Sequence, residues 1–515
     1  MKKLIYTLII AAGLSSCNDN LTLTPIGELM GGNFPATDDD AIALTNGVYQ
    51  PNVGISTGLS YLSDLTTEVE ISGENPNSGG GLLSLLQWDP SNSYVNSVWN
   101  ALFTGITSAN DVIEKVSDSK SISEQIRKRS LGEAQFLRAY YYFYAVQFWG
   151  EVPLVLKTSE GSGVTRAAVD DVYAQIVKDL QDAAANLPAV SEYASSDKGR
   201  ASKGAAYALL AKVYLTWGQV SEGGGATAKK ERFGKSIEAA NLVTGYQLEE
   251  EFLANWSTSN RNGKENIFST QHNLSQLADG SGGNHLVHCT FNTGFTQTIP
   301  HVILSDVKYY EAFDSRDQRK NGTYAKELYN PGGDSIYVFD KPRIRKYIDV
   351  NDPYGSASNR NIDRTILRYA DVLLVKAEAI NEYNGAPNAE AYEAVNQVLR
   401  RAFKHFPVTT ASADDLTPGL SYDGFKKVIQ EQRTFELTYE QSRWFDLVRW
   451  RIYVKTLKDS GVDTKYGKQN VSLKNYRFPL PQAQRNINPE GLWQNWGYDG
   501  ADESKTGANP YAGFN

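Results

Sequence analysis

The stretch Glu133 to Trp149, "EAQFLRAYYYFYAVQFW", leaves few folds open to this chain. Ala134, Leu137, Tyr141, Tyr144, Ala145 and Phe148 recur at steps of three and four, the spacing of one buried helix face. Rings at that spacing belong to a core. Gly150 supplies a C-terminal stop, and Pro153 forbids continuation. The pattern then repeats. Helices are expected over Asp170 to Leu187, ending at Pro188; over Lys203 to Trp217, "KGAAYALLAKVYLTW", ending at Gly218; and over Arg232 to Val243, ending near Gly245. Three more are expected over Thr365 to Tyr383, Asn388 to Phe403 and Tyr422 to Leu457. "TDDDA" at Thr37 to Ala41 reads as a helix N-terminus, where carboxylates cap free amides.

Ala205, Ala206, Ala208 and Ala211 let paired helices approach closely, while Tyr and Trp fill the space between pairs. Such pairs resemble tetratricopeptide-type repeats, although the fit to a 34-residue period is loose. The expected fold is mostly α: a tetratricopeptide-like, right-handed stack of about four helix pairs, with large irregular loop insertions carrying short β-strands. The scaffold is placed at about 35–50, 99–247 and 364–460. Loop-rich segments at about 51–98 and 248–363 break the helical pattern, and a C-terminal segment covers 461–515. The loops carry Gly and Asn clusters, as in Asp279 to His285 and Tyr329 to Ser335. Long irregular segments in a compact domain are usually functional or disordered, and the aromatic content here speaks against disorder.

The N-terminus says where the chain resides. Lys2 and Lys3 precede an apolar run from Leu4 to Leu14, and Ser15 and Ser16 stand before Cys17. This is the layout of a secretory signal, too short to span a bilayer, which takes roughly 20 apolar residues. A leucine three places before a cysteine, with two small residues between, resembles the bacterial lipobox. Residues 1–16 are therefore expected to be a lipoprotein signal peptide and Cys17 the lipidated N-terminus of a single domain over 17–515. Several acyl chains hold a protein at a membrane without a transmembrane helix. With Cys17 lipidated only Cys289 is left, so no intramolecular disulfide is expected. The 51 basic and 59 acidic residues give a formal charge of -8, which argues against nucleic acid as a partner.

Several motifs together are similar to one family. They are the lipobox, "RSLGEAQFLRAYYYFYAVQFWGEVPL" from Arg129, "GRASKGAAYALLAKVYLTWG" from Gly199, and "ILRYADVLLVKAEAINE" from Ile366. To these add "VIQEQRTFELTYEQSRWFDLVRW" from Val428 and "FPLPQAQRNINPEGLWQNWGY" from Phe478. Their order and spacing resemble the SusD/RagB family over essentially the whole chain. Two positions depart from it: Gln441 stands where the family commonly has glycine, and Trp496 where it commonly has proline. The resemblance implies a lipid-anchored protein at the cell surface of the outer membrane. It would bind a poly- or oligosaccharide and hand it to a TonB-dependent, SusC-like transporter. The helical scaffold would face the channel and the loops would build the glycan site.

A glycan site lays aromatic rings under the C–H faces of sugars and sets polar side chains around their hydroxyl edges. Aromatics outside the helical periodicity are therefore the candidates: Tyr61, Trp88, Tyr94, Trp256, Phe291, Phe295 and Tyr329. Trp88, in "LLQWDPSNSY", leads, because Pro90 fixes a turn and Asp89, Asn92 and Asn96 lie nearby; a tryptophan merely covering a helix end is the alternative. The expected ligand-binding set is Trp88, Asn92, Tyr94, Phe291, Phe295 and Tyr329. Arg316, Arg319, Lys320, Arg343, Arg345 and Lys346 could meet an anionic glycan, but they could equally balance nearby carboxylates, and a neutral glycan is preferred.

Other constellations carry less. His272, His285, His288 and His301 share a segment with Cys289, yet their spacings match no zinc pattern, so neither a metal nor a cofactor is expected. Arg433, Glu436, Glu440, Arg443, Asp446 and Arg449 fall at helical offsets and read as a ladder of ion pairs along one helix, not as a catalytic cluster. No catalytic motif is present, so an enzyme is not expected. A glycoside hydrolase using two carboxylates is the rival reading, and a structural transporter lid without its own glycan site is a third.

Overall fold

The aromatic helix that opens the argument runs from Glu124 to Trp149 and is capped by Gly150 at φ +74. It packs between helices Ser93–Ser117 and Val169–Asn186. Helix Lys203–Val220 follows, then Gly225–Asn241, Tyr369–Asn384, Ala389–Ala402 and Tyr422–Leu437, each against its predecessor or the helix before it. Eight helices thus stack in succession; Gly225–Asn241 and Tyr369–Asn384 pack across the insertion, and Ala389–Ala402 and Tyr422–Leu437 both lie against Tyr369–Asn384. The fold is a computed structural model that describes residues 34–514 except 73–74, 162, 273–302, 305–306, 330–335 and 350–361.

The alanines behave as their spacing predicts: Ala205, Ala206, Ala208 and Ala211 are all buried. Gly218 is not a stop. The helix continues to Val220, and Gly218 lies against Phe233, whose Cε1 would stand 2.5 Å from any added Cβ, so this glycine serves close packing of two helices. At the other end of the stack, Thr37 and Asp40 form a reciprocal capping box on helix Asp38–Tyr49.

Three further boundaries differ from the sequence expectation. Residues 51–98 are not uniformly irregular: Pro51–Ser63 is a helix, and Ser93–Ser117 begins six residues before the expected scaffold boundary. Pro51–Ser63 is buried on nearly every side, so it carries no polar stripe for periodicity to reveal. Thr365 to Arg368 belongs to a strand, Arg364–Arg368, ahead of the helix that begins at Tyr369. Tyr422 to Leu457 is broken into Tyr422–Leu437, Arg443–Arg449 and Tyr453–Lys458, with Tyr439 at φ +67 and Gln441 at φ +60 in the first break. Left-handed backbone favours glycine. Here the glutamine is held there by its own bonds. Its backbone N–H donates to Asp64 Oδ2 at 3.2 Å, and its Nε2 donates to the Ser56 carbonyl at 2.9 Å.

That break turns the expected ladder into a tertiary network. Arg433 reaches Asp371 and Asp446, Arg443 reaches Glu68, and Arg449 reaches Glu378 as well as Asp446. Glu436 meets Arg319, Arg368 and Arg401, while Glu265 meets Arg368 and Arg401. Burial alone would raise the Glu436 carboxyl, but the three guanidiniums outweigh it and hold it well below the usual carboxylate range. Lys346 joins through Glu440, and burial pushes its ammonium down to about 8 in spite of that partner. Because Glu265, Arg319, Lys346 and Arg368 come from the inserted region or its borders, this cluster clamps the insertion to the scaffold.

Strands Asn266–Thr270 and Arg364–Arg368 form the neck of the insertion as an antiparallel pair, with Asn266 opposite Arg368 and Thr270 opposite Arg364. Inside it, Tyr324–Tyr329 pairs with Ile336–Ile344. A small core of its own, including Val69, Phe252, Trp256, Tyr324 and Tyr347, lies beneath.

Candidate functional site

The two loop-rich segments meet. Strand Ile71–Ser72 pairs antiparallel with Ile303–Leu304, so residues 51–98 and 248–363 share one edge. Tyr309, on the short helix that follows, donates its hydroxyl to Glu68 Oε1 at 2.8 Å, and Arg443 secures the same carboxylate from the scaffold side. Loops pinned to a rigid stack in this way can hold a ligand without first paying for their own ordering.

The leading candidate does not lie on that surface. Trp88 is 2 % exposed, stacks on Phe478 at 4.9 Å between ring centres, and donates Nε1–H to the Tyr498 hydroxyl at 2.9 Å. The Pro90 turn is real, but it docks the chain on the C-terminal motif: Gln482 N–H donates to the Pro90 carbonyl at 2.9 Å. Asn92 is the N-cap of helix Ser93–Ser117, accepting from the backbone of Tyr94 and Val95, while its Nδ2 donates to the Gly79 carbonyl at 3.0 Å. Both residues are therefore corrected from ligand contacts to structural ones. Buried Tyr61 stacks on half-buried Tyr94 at 3.7 Å, which occupies one face of the Tyr94 ring. Trp256 is 2 % exposed within the insertion core, with Lys346 Nζ 5.1 Å and Arg368 Cζ 5.7 Å from its ring centre. Tyr329 ends strand Tyr324–Tyr329, opposite Ile336. Phe291, Phe295 and Cys17 lie outside the described residues, as do His285, His288, Cys289 and His301.

Most of the basic set is committed internally. Arg319 and Lys346 are buried in the clamp, and Arg316 pairs with Asp314 and Asp414. Lys320 sits over the Tyr310 ring at 4.7 Å, and the Arg345 guanidinium donates to the Ile348 carbonyl. Local charge balance, the alternative reading, describes these residues better than a waiting anion site.

A cleft of about 270 Å³ opens where the chain leaves the neck toward residue 273. Asn46, Tyr49, Asn52, Lys198, Arg200 and Gln271 are among its lining residues. Arg200 is fixed on three sides: Nε on Asp197, one terminal nitrogen on Glu133 at 2.9 Å, the other on Asn46 Oδ1 at 2.6 Å. Burial, and after it the Glu133 carboxylate, push the Tyr49 phenol well above its usual range, so it remains protonated. Lys198 is exposed and has no carboxylate partner among the described residues. Asn52 is 3 % exposed, and its Oδ1 is buried without a hydrogen-bond partner. Among the described residues no carboxylate lines this cleft, whose amides, hydroxyls and ammonium suit a hydroxyl-rich ligand more than acid–base chemistry. Sequence reading missed these residues because three lie at the join of two helices and the others in short connections. The Gln50–Pro51 break was the available signal.

Comparison with known proteins supplies the family. Residues 44–215 match a family model described as starch-binding and associating with the outer membrane, and residues 244–498 match the SusD/RagB model. The chain belongs to the SusD/RagB family. A SusD-like protein, P2, of Formosa agariphila is 26 % identical over 97 % of this chain and 100 % of its own length. A SusD homologue from Bacteroides thetaiotaomicron has a similar fold, with a TM-score of 0.77 and 24 % identity over 89 % of this chain and 97 % of that one. A laminarin-binding SusD-like protein superposes with a TM-score of 0.70 and 23 % identity, covering 89 % of this chain and 99 % of that one. SusD-family proteins are carbohydrate-binding, and association with the outer membrane goes with them.

Proposed function

We propose that this SusD-family protein is a lipid-anchored surface protein that captures a poly- or oligosaccharide and delivers it to a TonB-dependent outer-membrane transporter. Binding and release, not hydrolysis, is its task. The observation that carries the reading is the family match over both the first helix pairs and the insertion, which together hold the scaffold and the loops. Geometry supports it by bringing both loop-rich segments to one edge and clamping them on a buried charge cluster. Ligand contact falls to Tyr94, in the first turn of helix Ser93–Ser117, and to Phe291, Phe295 and Tyr329, while Trp88 and Asn92 maintain the fold.

The anchor is Cys17. No helix of the described residues is long and apolar enough to cross a membrane. The lipobox-like run that ends at Cys17 is what supports acyl chains as the attachment. Cys17→Ser should leave the protein folded and shift it from the membrane to the soluble fraction in cells lacking the transporter. Retention of the variant in washed membranes would contradict the anchor.

A further inference from the structure

A groove of about 410 Å³ lies outside the loop-borne site, and Val454, Lys458, Leu473, Lys474, Trp496 and Gly497 shape it. Three observations give it the chemistry of a binding site. First, Trp496 is half-buried and fixed in place: Nε1–H donates to the Ala508 carbonyl at 2.5 Å, and the Tyr511 ring stands at 72° to the indole with 6.0 Å between ring centres. Second, neither Lys458, at the end of helix Tyr453–Lys458, nor Lys474 has a carboxylate partner among the described residues, while neighbouring Lys455 is paired with Asp459. Lys474 sits instead over the Tyr498 ring at 5.1 Å. Third, among the described residues no acidic side chain lines the groove to compensate those two charges.

Gly497 makes the shape possible. Its φ is +81, and a Cβ there would lie 2.6 Å from Lys474 Cβ, so glycine lets the tryptophan and lysine segments close on each other.

We propose that this groove is a second saccharide site, selective for an anionic sugar unit that stacks on Trp496 and places its carboxylate or sulfate between Lys458 and Lys474. Its volume is near the lower end of the roughly 300–1,000 Å³ typical of small-molecule sites, which suits one or two rings more than a long chain. An indole accepts the C–H face of a pyranose, and an ammonium accepts either anion as a point charge.

The test is calorimetric titration of the protein lacking residues 1–17 with three probes: a galacturonate oligomer, its methyl ester, and a sulfated galactose oligomer. Trp496→Ala should weaken binding of the anionic probe about 5- to 150-fold, by analogy with aromatic stacking on nucleic-acid bases. Lys458→Gln and Lys474→Gln should each weaken it about 1.4- to 5-fold, and added salt should do the same to the wild type. The methyl ester should be insensitive to both lysine changes. Galacturonate or sulfated binding with this pattern identifies which anion is taken. Lys458→Gln alters an exposed side chain and should melt as the wild type does, which keeps the test independent of folding. Failure of both anionic probes to bind, or full affinity in Trp496→Ala and in the double lysine variant, would overturn the proposal. Loss of binding in Phe291→Ala/Phe295→Ala combined with full affinity in the groove variants would overturn the groove and leave the loop-borne site standing.

Discussion

Trp88 shows how one residue can announce itself in a sequence and be misplaced by it. A tryptophan beside a proline turn, with Asp and Asn close by, has the composition of a sugar platform, and the same composition closes a core by capping and turning the chain. Its ring lies on Phe478 and its Nε1–H on Tyr498, partners about 400 residues away that no local pattern names. Trp88→Ala should therefore cost about 3 to 5 kcal/mol of stability. A urea titration and a binding curve on the same variant would show it: early unfolding, with affinity unchanged where the variant is folded. A normal midpoint with lost binding would return Trp88 to the ligand. Asn92 was legible as a polar residue before a helix, and its role as N-cap is the simpler use of that position.

At the scale of elements, periodicity located the helices that have one dry and one wet side and failed where an element is buried all round. Helix Ala389–Ala402 lies where its pattern placed it, with Asn388 as N-cap. Pro51–Ser63 escaped because serines and glycines fill a helix enclosed by its neighbours. Thr365 to Arg368 falls within the expected helix Thr365 to Tyr383 because so short and largely buried a run has no distinguishing period; what makes it a strand is Asn266–Thr270, far away in the chain. The alanine stripe of Lys203–Val220 was legible and can be tested. Ala208 is 2 % exposed, so Ala208→Arg should force a charged side chain between helices and cost more than about 3 kcal/mol, measured as a lower denaturation midpoint. An unchanged midpoint would mean that this face is not packed.

Across the whole molecule, the buried charge network makes stability depend on pH in a defined direction. Burial works against the Glu378 carboxylate, but Arg449, Arg433 and the Trp450 indole N–H lower it from 4.5 to about 2, and Asp371 and Glu436 are lowered in the same sense. A carboxyl whose folded value is depressed stabilises the fold above its unfolded value and loses that contribution as pH falls through the folded one. For Glu378 the window is about pH 4.5 to 2 and the contribution about 3 kcal/mol. Chemical denaturation between pH 6 and 2.5 should show stability falling mainly below pH 4.5, and Glu378→Gln should flatten part of that fall. A flat profile would show that the network does not hold the insertion as described.

The division into a rigid helical stack and a ligand-binding set of loops is the central claim, and a saccharide titration tests it most directly. The proposed release to a channel calls for modest grip, since every 1.4 kcal/mol of added affinity slows dissociation about tenfold at constant association rate. Titrating the protein lacking residues 1–17 with a panel of neutral and acidic polysaccharides should reveal at least one ligand with micromolar to millimolar affinity. Phe291→Ala/Phe295→Ala should weaken that ligand about 5- to 150-fold while leaving the melting temperature in place. Absence of binding across the panel, or full affinity in the double variant, would contradict the account.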